Sequence, residues 1–389
     1  MQDRKWRMGM VGGGKDAFIG AVHRRAALMD GRAELVCGAF SRSREKSQAT
    51  GHECFLPDHR IYDSFKEMFA AERRLSAGNR MDFVVIVTPN DVHYPAAMAA
   101  LAAGFHVVCD KPMTTTLAEA RRLELEVRKT GRLFCLTHNY TGYPMVKEAR
   151  ELARGGRLGK IRRIVVQYPQ GWLAGRLEAT GQKQAAWRTD PKRAGATCCI
   201  GDIGSHCENL AEYITGLKIK ALCADLTTFV KGRPLDDDGN VLLRFDNGAR
   251  GVLWASQIAV GEENALAIRV YGEKGALIWR QQDPDTLTIH WLDRATEIKR
   301  RGTGFVGKAA AAATRLPSGH PEGFHDAFAN LYRRFYDALE ATDAGRKVKE
   351  GDYPTVHDGV RGMAFLEAVV KSSRSSQKWI NLKIINREV

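Results

Sequence analysis

No apolar run in this sequence approaches the roughly 20 residues needed to cross a bilayer as a helix. That absence excludes a helical membrane protein. The first residues, MQDRKWRMGMVGGG, are basic but contain no apolar stretch of signal-peptide length, so a cytoplasmic protein is expected. The eight cysteines in 389 residues lack metal-site spacing. Cys198 and Cys199 are adjacent, with Cys207 nearby, whereas tetrahedral zinc sites space their ligands two to four residues apart, and no metal is expected. Cys37, Cys109, Cys135 and Cys223 fall in apolar, strand-like contexts and read as buried free thiols. The chain also lacks any nucleic-acid motif or aromatic-basic stripe. Its formal charge is +14, yet stretches such as RRLELEVRKTGR and KEARELARGGR interleave the two signs, as solvated helix faces do. The excess suits a small anionic ligand better than DNA, RNA or a membrane.

What is present is an ordinary globular composition, 44% hydrophobic and 27% charged, at a length that accommodates two domains. Residues 1–140 alternate strands and helices. MGMVGG, AELVCGAF, the nearly continuous apolar run DFVVIVTP, HVVCDKP and LFCLTHNY read as strands. Helices lie between them, one opening on a Thr116–Glu119 capping box and stopping at Gly131. This alternation predicts a doubly wound parallel sheet, an α/β fold. Residues 141–389 change rhythm. A helix leads into IRRIVVQYPQGW, and hairpins are predicted at Asp246-Asn247-Gly248 and at the following Gly-Glu-Lys-Gly. A second, α+β domain with a mainly antiparallel sheet is expected. The final two helices, around 324–341 and 356–373, are free to pack back on the first domain. No internal repeat is found.

GMVGGGKDAFIG follows the first strand and precedes the first helix, the setting in which a glycine motif reads as a dinucleotide fingerprint. Gly12 and Gly14, with Gly13 between them, fit the tight turn and the close approach of a pyrophosphate. The third position is either Ala17 at strict spacing or Gly20 across an insertion. An acidic residue at the end of the second strand would read a free ribose 2′-hydroxyl. Here Ser41 and Arg42 stand instead, which suit a 2′-phosphate and favour NADP over NAD.

Ligands of an open parallel sheet lie beyond the carboxyl ends of its strands. Thr88, Pro89 and Asn90 stand at one such end, and Asp110, Lys111 and Pro112 at another. A lysine there is suited to holding a substrate hydroxyl and stabilising a developing alkoxide. In the second domain, GATCCIGDIGSHCENL places Asp202 and His206 four residues apart, on one face if the segment is helical. The histidine is suited to accept a proton and the carboxylate to orient it.

Together these segments resemble the Gfo/Idh/MocA oxidoreductases, over nearly the whole chain. VIVTPNDVHYPAAMAALAAGFHVVCDKPMTTT is similar to the family's strand–TPN–His–helix–EKP block, GDIGSHCENL to its Asp-x-x-x-His element, and GHPEGFHDAFANLY to a late helix of one sugar-dehydrogenase branch. The resemblance implies that Lys111, Asp202 and His206 are catalytic. It places His93 with the glycines, Ser41, Arg42, the TPN residues and Asp110–Pro112 in the cofactor set. Asp110 departs from the family, standing where a glutamate is usual. Asn139, Tyr140, Trp187, Arg188 and His320 are further candidates for the substrate pocket. The implied function is hydride transfer between a nicotinamide and a secondary hydroxyl of a sugar, inositol or related polyol. The resemblance further implies that residues 1–140 form an NAD(P)-binding Rossmann domain. It implies, too, that residues 141–389 form a substrate-binding and oligomerisation domain with a large open, mainly antiparallel sheet, through which a homodimer or homotetramer is built. Two alternatives stand beside this reading: an NAD-dependent glycosidase of the same fold, and a non-catalytic dinucleotide-sensing regulator.

Overall fold

The computed structural model of the chain describes residues 4–15, 17–348 and 353–382. The chain forms two compact units, Met1–Asn139 with Phe324–Val360, and Tyr140–Gly323 with Arg361–Val389. Among the described residues no helix is long and apolar enough to cross a membrane.

The first unit begins with β1 (Trp6–Gly12), α1 (Phe18–Leu28), β2 (Ala33–Ala39), α2 (Arg44–Glu53) and α3 (Phe65–Arg74). It continues through β3 (Phe83–Val87), α4 (Asn90–Ala102), β4 (His106–Cys109), α5 (Leu117–Thr130) and β5 (Phe134–Leu136). The strands are parallel, in the order β2-β1-β3-β4-β5. Outside β2, Ile61 makes a single parallel bridge to Gly38. Counted as a one-residue strand, it completes the 3-2-1-4-5-6 order of dinucleotide-binding folds. Every residue of β3, FVVIV, is buried, as a strand covered on both faces requires. The helices start where short polar side chains satisfy their free amides: Ser43 caps α2, Ser64 caps α3, and Thr116 with Glu119 forms the expected capping box of α5. Gly131 ends α5 in the left-handed region at φ 64°.

The second unit holds α6 (Pro144–Arg154), β6 (Ile161–Pro169), α7 (Lys183–Arg188), α8 (Pro191–Ala194) and α9 (Ser205–Thr215). Then come β7 (Ile219–Thr227), β8 (Asp238–Phe245), β9 (Arg250–Ser256), β10 (Ala267–Gly272), β11 (Gly275–Arg280), β12 (Asp283–Trp291), β13 (Glu297–Arg300) and the short α10 (Lys308–Ala313). With β14 (Ile380–Asn381) these strands form one sheet, ordered β13-β12-β11-β10-β6-β9-β8-β7-β14. Both predicted hairpins are present, β8–β9 and β10–β11. Every neighbouring pair is antiparallel except β6 and β9. That parallel pair brings two carboxyl ends side by side.

Helix α11 (Phe324–Asp343) belongs to the first unit, which is therefore discontinuous in sequence. It lies on α1, where Tyr336 donates to the Ala27 carbonyl at 3.0 Å and Arg333 pairs with Asp30. Phe335 meets Phe83 of β3 edge-on in the core, with ring centroids 5.4 Å apart. Helix α12 (Val356–Arg374) starts in the first unit and finishes in the second.

Candidate active site

In the first unit the carboxyl ends of β1, β3, β4 and β5 present Gly12, Thr88, Asp110 and Thr137 in adjacent register. Gly12 and Gly13 have φ of 80° and 70°, a region that side chains avoid. A Cβ on Gly12 would stand 2.6 Å from the Val87 carbonyl oxygen, and one on Gly14 3.1 Å from that of Phe40. The third glycine is Gly20: a Cβ there would lie 2.3 Å from the Cα of Gly13. Gly20 thus lets α1 close on the loop, and Ala17 precedes that contact. Arg24, which the sequence reading missed, donates to the Gly13 carbonyl at 2.7 Å and braces the loop from α1. Bare backbone at the end of β1, followed by a helix amino terminus, fits a dinucleotide pyrophosphate. Ser41 and Arg42 lie just past β2. Ser41 Oγ accepts from the Ser43 amide at 3.1 Å, and Arg42 is exposed.

Asp110, Lys111 and Pro112 follow β4. The Asp110 carboxylate accepts from Thr137 Oγ1 at 2.6 Å, and its Oδ1 lies 3.7 Å from His23 Nε2. Burial alone would raise its pKa, but His23, Thr137 and the charge of Lys111 together bring it down to about 2. His93, drawn into the cofactor set by resemblance, has its ring nitrogens 2.8 Å from the Pro112 carbonyl and 2.9 Å from that of Thr88. It stands between the end of β3 and the turn after Lys111; burial pushes its pKa down, and the neutral ring donates to one of the two carbonyls. Thr88, Pro89 and Asn90 form that strand end, with Asn90 opening α4. His138, next to buried Asn139, is pushed down to about 3 by burial and by the charge of Lys111.

In the second unit the segment that carries Asp202 and His206 is not a single α-helix. Ile200–Gly204 is a π-type turn, and the α-helix begins only at Ser205. Asp236 holds this turn by accepting from the amides of Cys198 and Ile200, both at 2.8 Å. Asp202 on the turn accepts from Arg188 Nε at 3.0 Å and from Gln257 Nε2 at 2.9 Å. The Arg188 guanidinium lies 4.3 Å from the ring centre of Trp187 and 5.9 Å from that of Trp172. Gln257 follows β9, beside the end of β6.

His206, in the first turn of α9, is buried among aromatics: Tyr140 meets it edge-on at 4.7 Å and Tyr168 lies at 6.2 Å between ring centroids. The hydroxyls of Tyr140 and Tyr168 bond to each other, and Tyr168 donates to Asn264 Oδ1 at 2.6 Å. Asn264 also accepts from Gln170 Nε2 at 2.7 Å, and Gln170 accepts from Trp172 Nε1 at 3.1 Å. Burial pushes Tyr140 up to about 12, so its phenol stays protonated. Thus Tyr140, Asp202, His206, Trp187 and Arg188 gather on one polar-aromatic face. His320 sits apart in an exposed loop, its carbonyl accepting from Arg301. Sequence reasoning missed Tyr168, Gln170, Trp172, Gln257 and Asn264. The signal that could have found the first three was QYPQGW, standing at the carboxyl end of a strand.

A doubly wound sheet with a glycine-rich turn, and a second unit with a polar, aromatic face around a buried histidine, fit a dinucleotide-dependent oxidoreductase. Comparison with known proteins agrees. Residues 6–138 match the model of the oxidoreductase family with an NAD-binding Rossmann fold, and residues 146–278 match the GFO/IDH/MocA C-terminal domain. The chain belongs to the Gfo/Idh/MocA oxidoreductases. It is 33% identical to YfiI, an uncharacterised oxidoreductase of Bacillus subtilis, over 97% of both chains. An oxidoreductase structure from Sinorhizobium meliloti shares 44% identity at a TM-score of 0.87, covering 97% of this chain and all of the other. An inositol dehydrogenase homolog from Azotobacter vinelandii, complexed with NADH and myo-inositol, shares 33% identity at a TM-score of 0.89, with 97% and 98% covered.

Proposed function

We propose that the chain is an NAD(P)-dependent dehydrogenase acting on a secondary hydroxyl of a sugar, inositol or related polyol. The observation that carries this reading is the second unit's run of phenols and amides beside His206: Tyr140, Tyr168, Asn264 and Gln170, continued by Trp172. Such groups donate and accept alternately, as vicinal hydroxyls do, and a tryptophan face suits the C–H face of a ring. The Azotobacter relative's complex with NADH and myo-inositol supports a nicotinamide dinucleotide, without favouring NADP, and the substrate class.

In this reading Lys111 donates from its ammonium to the substrate oxygen and stabilises the charge that develops there. His206 takes the hydroxyl proton. Asp202 supplies the negative charge that favours the resulting imidazolium, while Arg188 and Gln257 fix its carboxylate. A bound nicotinamide supplies the hydride acceptor. Reduction uses the same groups in reverse. Ser41 and exposed Arg42 are proposed to receive a 2′-phosphate, making NADP the preferred cofactor over NAD.

A homodimer or homotetramer is part of the proposal. On the outer face of the nine-stranded sheet, Leu242, Val252, Val165, Ile278 and Ile298 fall in one row across successive strands, with Arg269 and Thr288 among them. Leu242 and Ile298 are exposed. A second copy is the partner whose sheet would match such a face.

The test is purified protein with NAD and with NADP against a panel of sugars, inositols and sugar acids, following the absorbance of reduced nicotinamide. Reduction with one substrate class supports the reading. Sugar release from a glycoside without net cofactor change points to the glycosidase, and dinucleotide binding without turnover of either kind to the sensor. If Lys111→Ala and His206→Ala both keep near wild-type turnover on a verified substrate, the residue roles are wrong.

A further inference from the structure

One buried histidine of the first unit has no part in the proposed chemistry. His23 lies on α1 with no solvent exposure. Its Nδ1 is 2.6 Å from the Tyr332 hydroxyl, and its ring meets Phe328 edge-on with centroids 4.9 Å apart. Its Nε2 has no hydrogen-bond partner among the described residues, and it faces Asp110 Oδ1 at 3.7 Å, beyond hydrogen-bond length. Burial pushes the Tyr332 phenol well up, so the phenol keeps its proton. A protonated phenol donating to Nδ1 leaves the imidazole hydrogen on Nε2, where it points at the carboxylate. In that tautomer Asp110 has an N–H on one side and the Thr137 hydroxyl on the other. It also feels the charge of Lys111, and both His93 and His138 lie in its field.

We propose that His23 is a positioning residue for Lys111, acting through Asp110. The two residues flanking the lysine then both have polar neighbours: Asp110 accepts from Thr137 and faces His23 at charge–dipole range, and the Pro112 carbonyl faces His93. The Asp110 amide adds a bond to the Ile86 carbonyl at 3.0 Å. With its backbone held on both sides, the point from which the Lys111 side chain departs is fixed. The inference rests on the reading of Lys111 as a catalytic residue.

Two measurements test it. In protein labelled with 15N-histidine, His23 (assigned by its loss in His23→Gln) is expected to carry its hydrogen on Nε2, and Tyr332→Phe to weaken that preference. A hydrogen on Nδ1 in the wild type overturns the proposal. In steady-state assays His23→Phe and Tyr332→Phe are each expected to lower kcat on the order of tenfold, with KM and the Kd for NADH nearly unchanged. The double variant should fall no further than His23→Phe alone. Effects that multiply, or a lowered Tm with normal kcat, would make His23 a core residue only. Lys111→Ala separates the two failures. If it keeps turnover, the catalytic reading falls. If it is inactive while both other variants stay normal, only the role of His23 falls.

Discussion

Gly13 and Gly20 touch backbone to backbone: a Cβ on Gly20 would stand 2.3 Å from the Gly13 Cα and 2.4 Å from its carbonyl oxygen. Neither atom belongs to a side chain that could swing aside. Gly20→Ala is therefore expected to cost about 1–3 kcal/mol of stability, as overpacking does, and to weaken dinucleotide binding at least about tenfold by pushing α1 off the loop. Ala17→Gly should leave binding within about twofold. Denaturant melts and NADH fluorescence titrations of the two variants decide the point, and equal losses would refute the assignment of Gly20.

Arg188 grips Asp202 while lying over Trp187. Arg188→Leu is expected to lower kcat/KM about 10- to 100-fold, because a largely buried carboxylate loses its charged partner. Gln257→Leu removes a neutral donor from the same oxygen and should do less. Rates that match wild type, with only Tm reduced, would assign Arg188 to packing.

Two carboxylates should give opposite pH signatures in stability. Asp110 is held at about 2, below its unfolded value near 4, so its contribution is present above pH 4 and is lost as pH falls from about 4 to about 2. Asp236 is raised to about 6 by burial, against the amides it accepts from. Its folded form binds a proton that the unfolded chain has released, so stability falls as pH rises from about 4 to about 6, by on the order of 3 kcal/mol. Urea melts of Asp110→Asn and Asp236→Asn across this range should each lack the corresponding slope. A wild-type slope in either variant would sink that assignment.

Val252 lies in the apolar row of the nine-stranded sheet, between Leu242 and Val165. Val252→Glu should shift the protein toward monomer in light scattering while leaving its circular dichroism unchanged. An unaltered mass would place any interface elsewhere.

Much of the fold was legible because its signals are local. The all-apolar β3, the Thr116–Glu119 box and the Asn-Gly turn between β8 and β9 each follow from a few neighbouring residues. The cofactor loop was legible in type, while its third glycine was left open between Ala17 and Gly20. Spacing rules count residues along the chain, and here an insertion bulges between strand and helix. Asp202 and His206 were found as a pair, but the π-type turn that carries Asp202 has no mark in the sequence.

Sequence by itself determined the strand–helix rhythm, the nucleotide-binding turn and the residue types available for chemistry at the strand ends. Only tertiary structure decided who holds whom. Asn264 meets Tyr168 across 96 residues, and Tyr332 meets His23 across 309. Periodicity and capping act within a few turns of chain, whereas buried hydrogen bonds are settled by which polar groups the folded core leaves facing one another.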